Sequence, residues 1–476
     1  MITPFNPMKK QSNLGVLGMI KNVISVIDGE AGSCGKAKVV GEIATDKTIN
    51  LGAAVTNCMP NAGHTFVDEK GNATVFRNIP VSSVNPNTEL FIGPGSAIDM
   101  EVFMDEFERV KHLLNGRKIY VHEMVPLTDE RYKQYEREHI KSGSTFKGCG
   151  AVTQEKVIRD KKLEFFKTFR DAVVCSNDEW LERLYSHLDN PNEYVILEGA
   201  QGCDLDLNHS GNYPFVTSRN ISTSQLLADS GISPARLLQT IMVIRPFPIR
   251  ISNITKSGDI IYTGAYGTGQ ELTWTEINVA AQFGWYPYKG MLDDFKIEYE
   301  EDEFLEYVRE DISRCPEIYL KQIFGDKYKD INPTDVTLLQ ALEMERLYYK
   351  SIGEREYESN YIELPLTESK DCPTCIYDLS EQTTVTKMER RIFDLDIRKL
   401  INNCRINTPS SLYLNFFQHL SYAHKGLNGN YDDIYFDKPL RVYLDWLESE
   451  TGIDISTLGT GARNDERIKR KELIKR

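Results

Sequence analysis

The segment Asn22–Lys38, NVISVIDGEAGSCGKAK, constrains the fold of this chain more than any other stretch. Val23, Ile24, Val26 and Ile27 form a β-branched apolar run that reads as a buried strand. The run leads into Gly29, Gly32 and Gly35, then into Lys36 and a helical pattern from Ala37 to Ala44. Glycines between a strand and a helix N-terminus let backbone N–H groups approach a phosphate, whose charge the helix dipole favours. The spacing departs from a Walker A motif. Gly29 lies one residue too far from Gly35-Lys36, and Ala37 stands where a Mg²⁺-binding Ser or Thr belongs. Taken alone, the segment is either a phosphate loop or an ordinary glycine-rich turn.

At 476 residues the chain is long enough to bury a large core, as one big α/β domain or as two domains. Its 41% apolar and 26% charged residues exclude a disordered chain. No run of about 18 apolar residues is present, so no membrane span is expected. The N-terminus lacks the apolar core and small-residue cleavage site of a secretory signal. The formal charge of −14 argues against general affinity for duplex DNA, whereas a local cluster of donors suffices for a nucleotide. Nine scattered cysteines suit a reduced cytosolic protein. Cys372 and Cys375 form a single C-x-x-C without a second pair at zinc spacing, which leaves either a metal site or a loop with two thiols.

Further strands are expected at Leu51–Thr56, Lys118–Val121, Tyr194–Leu197 and Met242–Ile251, with a strand pair at Thr74–Ile79 and Leu90–Ile92. Helices are predicted from Asp99, as N-cap, to Leu114, around Glu130–Ile140, and over Thr273–Phe283, which starts with the capping box Thr-x-x-Glu. Residues 61–65, 141–151 and 198–202 form further loops, the last of them at a strand exit. Loops after strands on one edge of a parallel sheet are where α/β proteins bind ligands. Residues 289–370 become acidic, carry an approximate helical stripe (Leu338, Leu339, Leu342, Met344, Leu347, Tyr348) and read as a solvated helical insertion or a regulatory or partner-binding module. Residues 1–20 read as an irregular tail, and the chain ends in a basic tail from Arg467, set apart from the domain over 469–476.

Five ordered segments carry a family resemblance: GSCGKAK (32–38), NAGHT (61–65), EGAQG (198–202), YPFVTS (213–218) and TTVT…RR (383–391). Together they resemble adenylosuccinate synthetase, which joins aspartate to C6 of a purine nucleotide. The TTVTK form is similar to that of the archaeal-type branch. The resemblance implies a single large α/β domain over 21–288 and 371–468, with a mostly parallel central sheet and a phosphate loop related to the P-loop. One departure is informative. The family's loop reads GDEGKGK, and its catalytic aspartate falls on Ser33 here. In this the chain resembles the phage-encoded branch that aminates dGMP to make the precursor of 2-aminoadenine.

The resemblance implies roles residue by residue. Gly32, Gly35 and Lys36 would cradle the triphosphate, with Mg²⁺ close by. Ser33 and the Gly63 carbonyl match metal-binding positions, and His64 matches the histidine that hydrogen-bonds the transferring phosphoryl group. Asn61, Ser144, Thr145, Gln201 and Thr217 match positions lining the purine nucleotide. Arg159 falls where the family reaches across a homodimer interface. Thr384, Val385, Thr386, Arg390 and Arg391 match the clamp for L-aspartate. Paired arginines bind carboxylates bidentately, and Arg250 is a weaker candidate for the same role. Gln418 falls where the family uses an aspartate to read guanine. An amide both donates and accepts, as adenine's edge requires, which favours ATP or dATP over GTP. Gly461 lies in the glycine loop that closes over the same base.

Serine cannot replace the aspartate as a base near neutrality, but its short side chain leaves room for a 2-amino group beside N1. The implied reaction is an ATP-dependent ligation of aspartate to dGMP. The rivals are ordinary adenylosuccinate synthesis from IMP and GTP, and a catalytically silent nucleotide-binding relative. No direct nucleic-acid or membrane partner is expected.

Overall fold

Val23–Asp28 is buried along its whole length because helices cover both faces of the sheet it belongs to. The computed structural model describes residues 20–140, 144–253, 262–283, 301–352, 361–363, 375–377, 379–382 and 388–474. Eleven strands form one sheet: β1 (Val23–Asp28), β2 (Leu51–Thr56), β3 (Glu89–Ile92), β4 (Ile119–His122), β5 (Ala172–Cys175), β6 (Tyr194–Glu198), β7 (Leu237–Ile244), β8 (Ser411–Leu414), β9 (Gly429–Asn430), β10 (Ile455–Gly459) and β11 (Arg467–Lys469). Their order is β9-β11-β10-β8-β7-β1-β6-β2-β3-β4-β5, with β1 in the middle. Every described pairing is parallel except that of β10 with β11.

Alternation along the strands divides the core. Val23, Ile27, Ala53 and Val55 pack with Trp180, Leu184, Leu226 and Leu444 on one face. Ile24, Val26 and Ala54 pack with Val39, Ile43, Phe103 and Phe107 on the other. Helix Lys36–Thr45, directly after the glycine loop, belongs to the second face. The architecture is a single α/β domain with a mostly parallel sheet.

Several expectations need correction. The strand at 74–79 does not pair with the one at 90–92. Ala73–Phe76 instead forms a hairpin with His64–Val67, whereas β3 joins the main sheet beside β2. The predicted strand over 242–251 starts earlier, at Leu237, and breaks after Ile244. Ile249–Arg250 then pairs with Arg391–Phe393 in a small sheet. The basic segment from Arg467 is not set apart from the domain, since β11 pairs with β10 and Ile474 is buried. Its charges flank an apolar residue, Ile468, that the sheet needs. Residues 1–19 and Cys372 lie outside the described residues.

Within the segment expected to be an insertion, helices Glu301–Arg314, Glu317–Phe324 and Leu338–Ile352 enclose a small core of their own. Val308, Cys315, Leu320, Val336, Ala341 and Met344 form it. Among the described residues, no helix is long and apolar enough to cross a membrane.

Candidate active site

The site lies at the C-terminal ends of β1, β2, β6, β7, β8 and β10, where the sheet hands the chain to loops. After β1 the chain turns through Gly32 (φ 94°), Ser33 (φ 59°) and Gly35 (φ 84°) before helix Lys36–Thr45. A Cβ on Gly35 would meet the Asn415 amide at 2.1 Å, so this position needs glycine for space as well as for its left-handed backbone. Asn415 uses that amide to donate to the Cys34 carbonyl at 3.0 Å, which joins the loop after β8 to the loop after β1.

The carboxylate of Asp28 sits inside the turn. It accepts from the backbone N–H groups of Glu30 (3.0 Å), Gly32 (3.2 Å) and Cys34 (2.9 Å), and pairs with the Lys36 ammonium. Lys36 also donates to the Gln201 carbonyl at 2.7 Å, which draws the loop after β6 onto the first loop. Gly202 makes that contact possible, because a Cβ there would lie 2.2 Å from the Glu30 carbonyl. The Ser33 side chain is exposed at the mouth of the arrangement, and its carbonyl accepts from Arg245 at 3.4 Å.

His64 opens the hairpin strand rather than sitting in a loop. Its Nε2 lies 3.5 Å from the Cys58 thiol, which accepts from the Thr56 hydroxyl at 2.8 Å. Burial and the nearby Lys36 ammonium pull its imidazole down to a pKa of about 3, so it is neutral at ordinary pH. Asn61 reaches the Cys149 thiol through its backbone, and Gly63 is exposed beside His64.

Ser144 and Thr145 are half-buried ahead of helix Cys149–Ile158, with the Ser144 hydroxyl accepting from the Phe146 N–H at 3.2 Å. Arg159 ends that helix in a left-handed conformation and is exposed. Thr217 is tied through its N–H to the Leu205 carbonyl, beyond Gln201. Lys38 anchors the loop of Gly461, donating to the carbonyls of Gly461 and Glu466.

Arg390 and Arg391 close the last motif, and Arg250 stands in register with Arg391 in the small sheet. Thr384, Val385 and Thr386 lie outside the described residues. Arg391 pairs with Glu271 and donates to the Gly264 carbonyl at 2.6 Å, and Arg390 donates to the Gln382 carbonyl at 3.3 Å. Arg250 is buried with two guanidinium nitrogens, Nε and Nη1, lacking partners. Burial and the like charge of Arg391 lower its pKa to about 10. A buried cation with open donors, beside a second cation, is a site built to receive an anion. Gln418 follows β8 on a short 3₁₀ turn, and its amide oxygen is likewise buried without a partner. Among the described residues, no group of three or more His, Cys, Asp or Glu side chains could hold a metal by itself.

This geometry can hold polyphosphate at one end and a carboxylate at the other. The family profile for Adenylosuccinate synthetase matches residues 26–176 and 160–258. The N6-succino-2-amino-2'-deoxyadenylate synthase of Vibrio phage phiVC8 is 33% identical over 275 residues, covering 54% of this chain and 74% of the relative. The chain belongs to the adenylosuccinate synthetase family. The adenylosuccinate synthetase of Pyrococcus horikoshii is 31% identical over 235 residues, covering 48% of this chain and 66% of the relative. The solved structure of the cyanophage S-2L succinoaminodeoxyadenylate synthetase, bound to dGMP and dATP as an energy donor, matches with a TM-score of 0.62. That match, at 20% identity, spans 94% of this chain and 95% of the other. Fully ligated adenylosuccinate synthetase from Plasmodium falciparum matches at a TM-score of 0.58 and 15% identity, over 94% and 100% of the two chains. At those identities the structural matches establish the shared synthetase fold, and membership of the family makes the chain a ligase.

Within the synthetase fold, sequence reasoning passed over four residues: Asp28, Cys58, Arg245 and Glu381. Asp28 is the last residue of β1. Arg245 is wholly buried, pairs with Glu381 and lies over the Phe416 ring at 4.1 Å. An acid closing an apolar strand and a lone arginine after another were the available signals, since neither is affordable in a core without a partner.

Proposed function

We propose that the protein joins L-aspartate to C6 of dGMP with ATP or dATP as phosphoryl donor, giving 2-amino-2'-deoxyadenylosuccinate, ADP (or dADP) and phosphate. The observation that carries this reading is Ser33, whose short side chain stands exposed at the mouth of the phosphate loop. An aspartate there would crowd the 2-amino group of guanine, whereas a hydroxymethyl group does not. The phage relative at 33% identity, named for the 2-amino-2'-deoxy product, supports the same substrate class.

Phosphoryl transfer to O6 turns a poor leaving group into phosphate, which the aspartate amine then displaces. Lys36 and the N–H of Gly35 would bind and orient the triphosphate, while Gly32, whose N–H is held by Asp28, shapes the turn around it. Neutral His64 can donate a hydrogen bond to the moving phosphoryl oxygens, from the nitrogen that carries its proton. Asn61, Ser144, Thr145, Gln201 and Thr217 would line the nucleotide. Arg250, Arg390 and Arg391 would hold the aspartate carboxylates, with the loop 384–386 completing the shell. Gln418 would offer its unpaired amide oxygen to the adenine edge, and Gly461 would close over that base. Ser33 and Gly63, both exposed oxygen-donor positions, are the protein groups that would hold Mg²⁺, an ion that accepts few protein ligands beside phosphates and water. Bound there, it would neutralise charge on the transferred phosphate. Arg159 would reach a second subunit's nucleotide. Beside it Val157 and Ile158 are 71% and 62% exposed, an apolar strip that a homodimer partner would cover.

Incubation with aspartate and Mg²⁺ and each pairing of IMP, GMP or dGMP with ATP or GTP tests the reading. Turnover is expected with dGMP and ATP. Turnover confined to IMP would make the protein an ordinary adenylosuccinate synthetase, and nucleotide binding without turnover an inactive relative.

A further inference from the structure

The loop that carries the last motif leaves and re-enters the fold through a two-rung neck. Gln382 bridges Glu389, and the Arg390 N–H donates to the Glu381 carbonyl at 2.9 Å. An acidic side chain stands on each side of this neck. Glu381 is taken by Arg245, from the loop after β7 of the central sheet, with Nη1 donating to Oε2 at 3.1 Å. Glu389 is taken by Arg346, which comes from helix Leu338–Ile352 of the insertion.

Arg346 is not a surface charge. Its side chain is 2% exposed, and those of its partners Glu343 and Glu389 are 4% and 14% exposed. Its guanidinium donates from Nε (2.8 Å) and Nη2 (2.7 Å) to Glu343, and from Nη1 (2.9 Å) and Nη2 (2.9 Å) to Glu389. Glu343 also accepts from the hydroxyl of fully buried Thr275 at 2.7 Å, on the helix Trp274–Phe283. The Trp274 indole N–H, one residue earlier, donates to the Arg390 carbonyl at 2.8 Å. Taking three charges out of water is costly unless their hydrogen bonds are matched, and what such a network contributes is geometric definition. Here the residue defined is Glu389, immediately before Arg390 and Arg391.

We infer that Arg346 is a positioning residue for the carboxylate clamp, and that the insertion acts as a buttress for the neck of the loop it precedes. The catalytic significance rests on the reading above, in which Arg390 and Arg391 receive aspartate. Without Arg346, the Glu389 carboxylate loses its two-pronged partner and the neck its register on that side, while the phosphate loop keeps its own contacts to Asp28.

Arg346→Met, Arg346→Lys and the wild type are compared in the full-length protein by two readouts. Arg314→Met serves as a control, because Arg314 pairs with Glu310 and Asp311 elsewhere in the insertion. Amide hydrogen exchange over 388–393 should speed up at least tenfold in Arg346→Met and stay within twofold of wild type in Arg314→Met. Unchanged exchange there overturns the buttress, whatever nucleotide the enzyme uses. With the nucleotide pair that the wild type turns over, Arg346→Met should raise the KM for aspartate at least tenfold and leave both nucleotide KM values within twofold. Arg346→Lys should recover part of the loss. An unchanged aspartate KM, or an equal rise in all three, removes the positioning role. Faster exchange in Arg346→Met, with a wild type inactive on every pair, would keep the buttress and fail only the aspartate reading. Should Arg346→Met not fold, Glu389→Gln, which leaves the Arg346–Glu343 pair intact, carries the same two measurements.

Discussion

The ammonium of Lys36 lies 3.2 Å from the Asp28 carboxylate, so the cation of the phosphate loop is tied to the strand that precedes it. The two side chains are 6% and 0% exposed. With three backbone amides on the same carboxylate, Asp28 acts as the peg on which the turn is wound. Asp28→Asn leaves Lys36 buried without its counter-charge and should cost ~3 kcal/mol in urea denaturation, the usual scale for breaking a buried pair. A loss under about 1 kcal/mol would mean that the pair contributes little beyond what the loop amides supply to each other.

Ser33→Asp puts a carboxylate where the 2-amino group of guanine is proposed to fit. The left-handed backbone at this position tolerates aspartate, so the variant should fold. The ratio of kcat/KM for dGMP over IMP should fall at least about tenfold, the ~1.4 kcal/mol scale of a modest steric or polar mismatch. Unchanged or improved use of dGMP would refute the steric account of this position.

Histidine protonation gives two pH signatures. His64 is already neutral at ordinary pH, so kcat/KM should show no inflection near 6.5 from this group, while His64→Ala should lower kcat by about 10²–10⁴-fold. His419 is 2% exposed, and burial pulls its pKa down to about 3. The unfolded chain binds a proton there below about 6.5 and the folded one does not. Its neutral form is therefore fully compatible with folding above pH 6.5, and stability falls as pH drops from there toward 3, by about 1.4 kcal/mol per unit at most. Chemical denaturation of wild type and His419→Gln between pH 7 and 4.5 should show a shallower acid loss in the variant.

The proposed role of Arg250 would trade stability for binding. Its guanidinium is buried with two open nitrogens and repelled by Arg391. Arg250→Met should leave the Tm unchanged or raise it, yet raise the KM for aspartate at least about tenfold, because the fold satisfies only Nη2, through the Phe215 and Thr263 carbonyls, and leaves Nε and Nη1 open. A large loss of Tm with unchanged aspartate KM would make Arg250 a structural residue.

Gln418→Asp exchanges a donor-acceptor amide for an acceptor-only carboxylate. The ratio of kcat/KM for ATP over GTP should drop about tenfold or more if this side chain reads the donor base. A ratio that does not move would assign base choice to other residues.

Much of the candidate site was legible locally. The strand, the glycine turn and the helix over 22–45 follow from β-branched residues, φ-permissive glycines and a periodic stripe, all properties of adjacent residues. His64, Gln201 and Arg391 were legible through motif order, and the structure brings their loops to one edge of the sheet. The misplaced strand at 74–79 shows the limit: a short apolar run announces a strand but not its neighbour, and only the turn at Asp68–Asn72 made His64–Val67 the nearer partner.

The sequence by itself determined the chemistry available: a serine at 33 instead of an acid, an amide at 418, and arginines at 250, 390 and 391. Tertiary structure alone decided which charges are matched. Glu381 meets Arg245 across 136 residues, and Glu389 meets Arg346 across 43. No local period encodes such pairs, because the partner of a buried charge is chosen by where the sheet and the insertion bring it, and by the cost of leaving it alone.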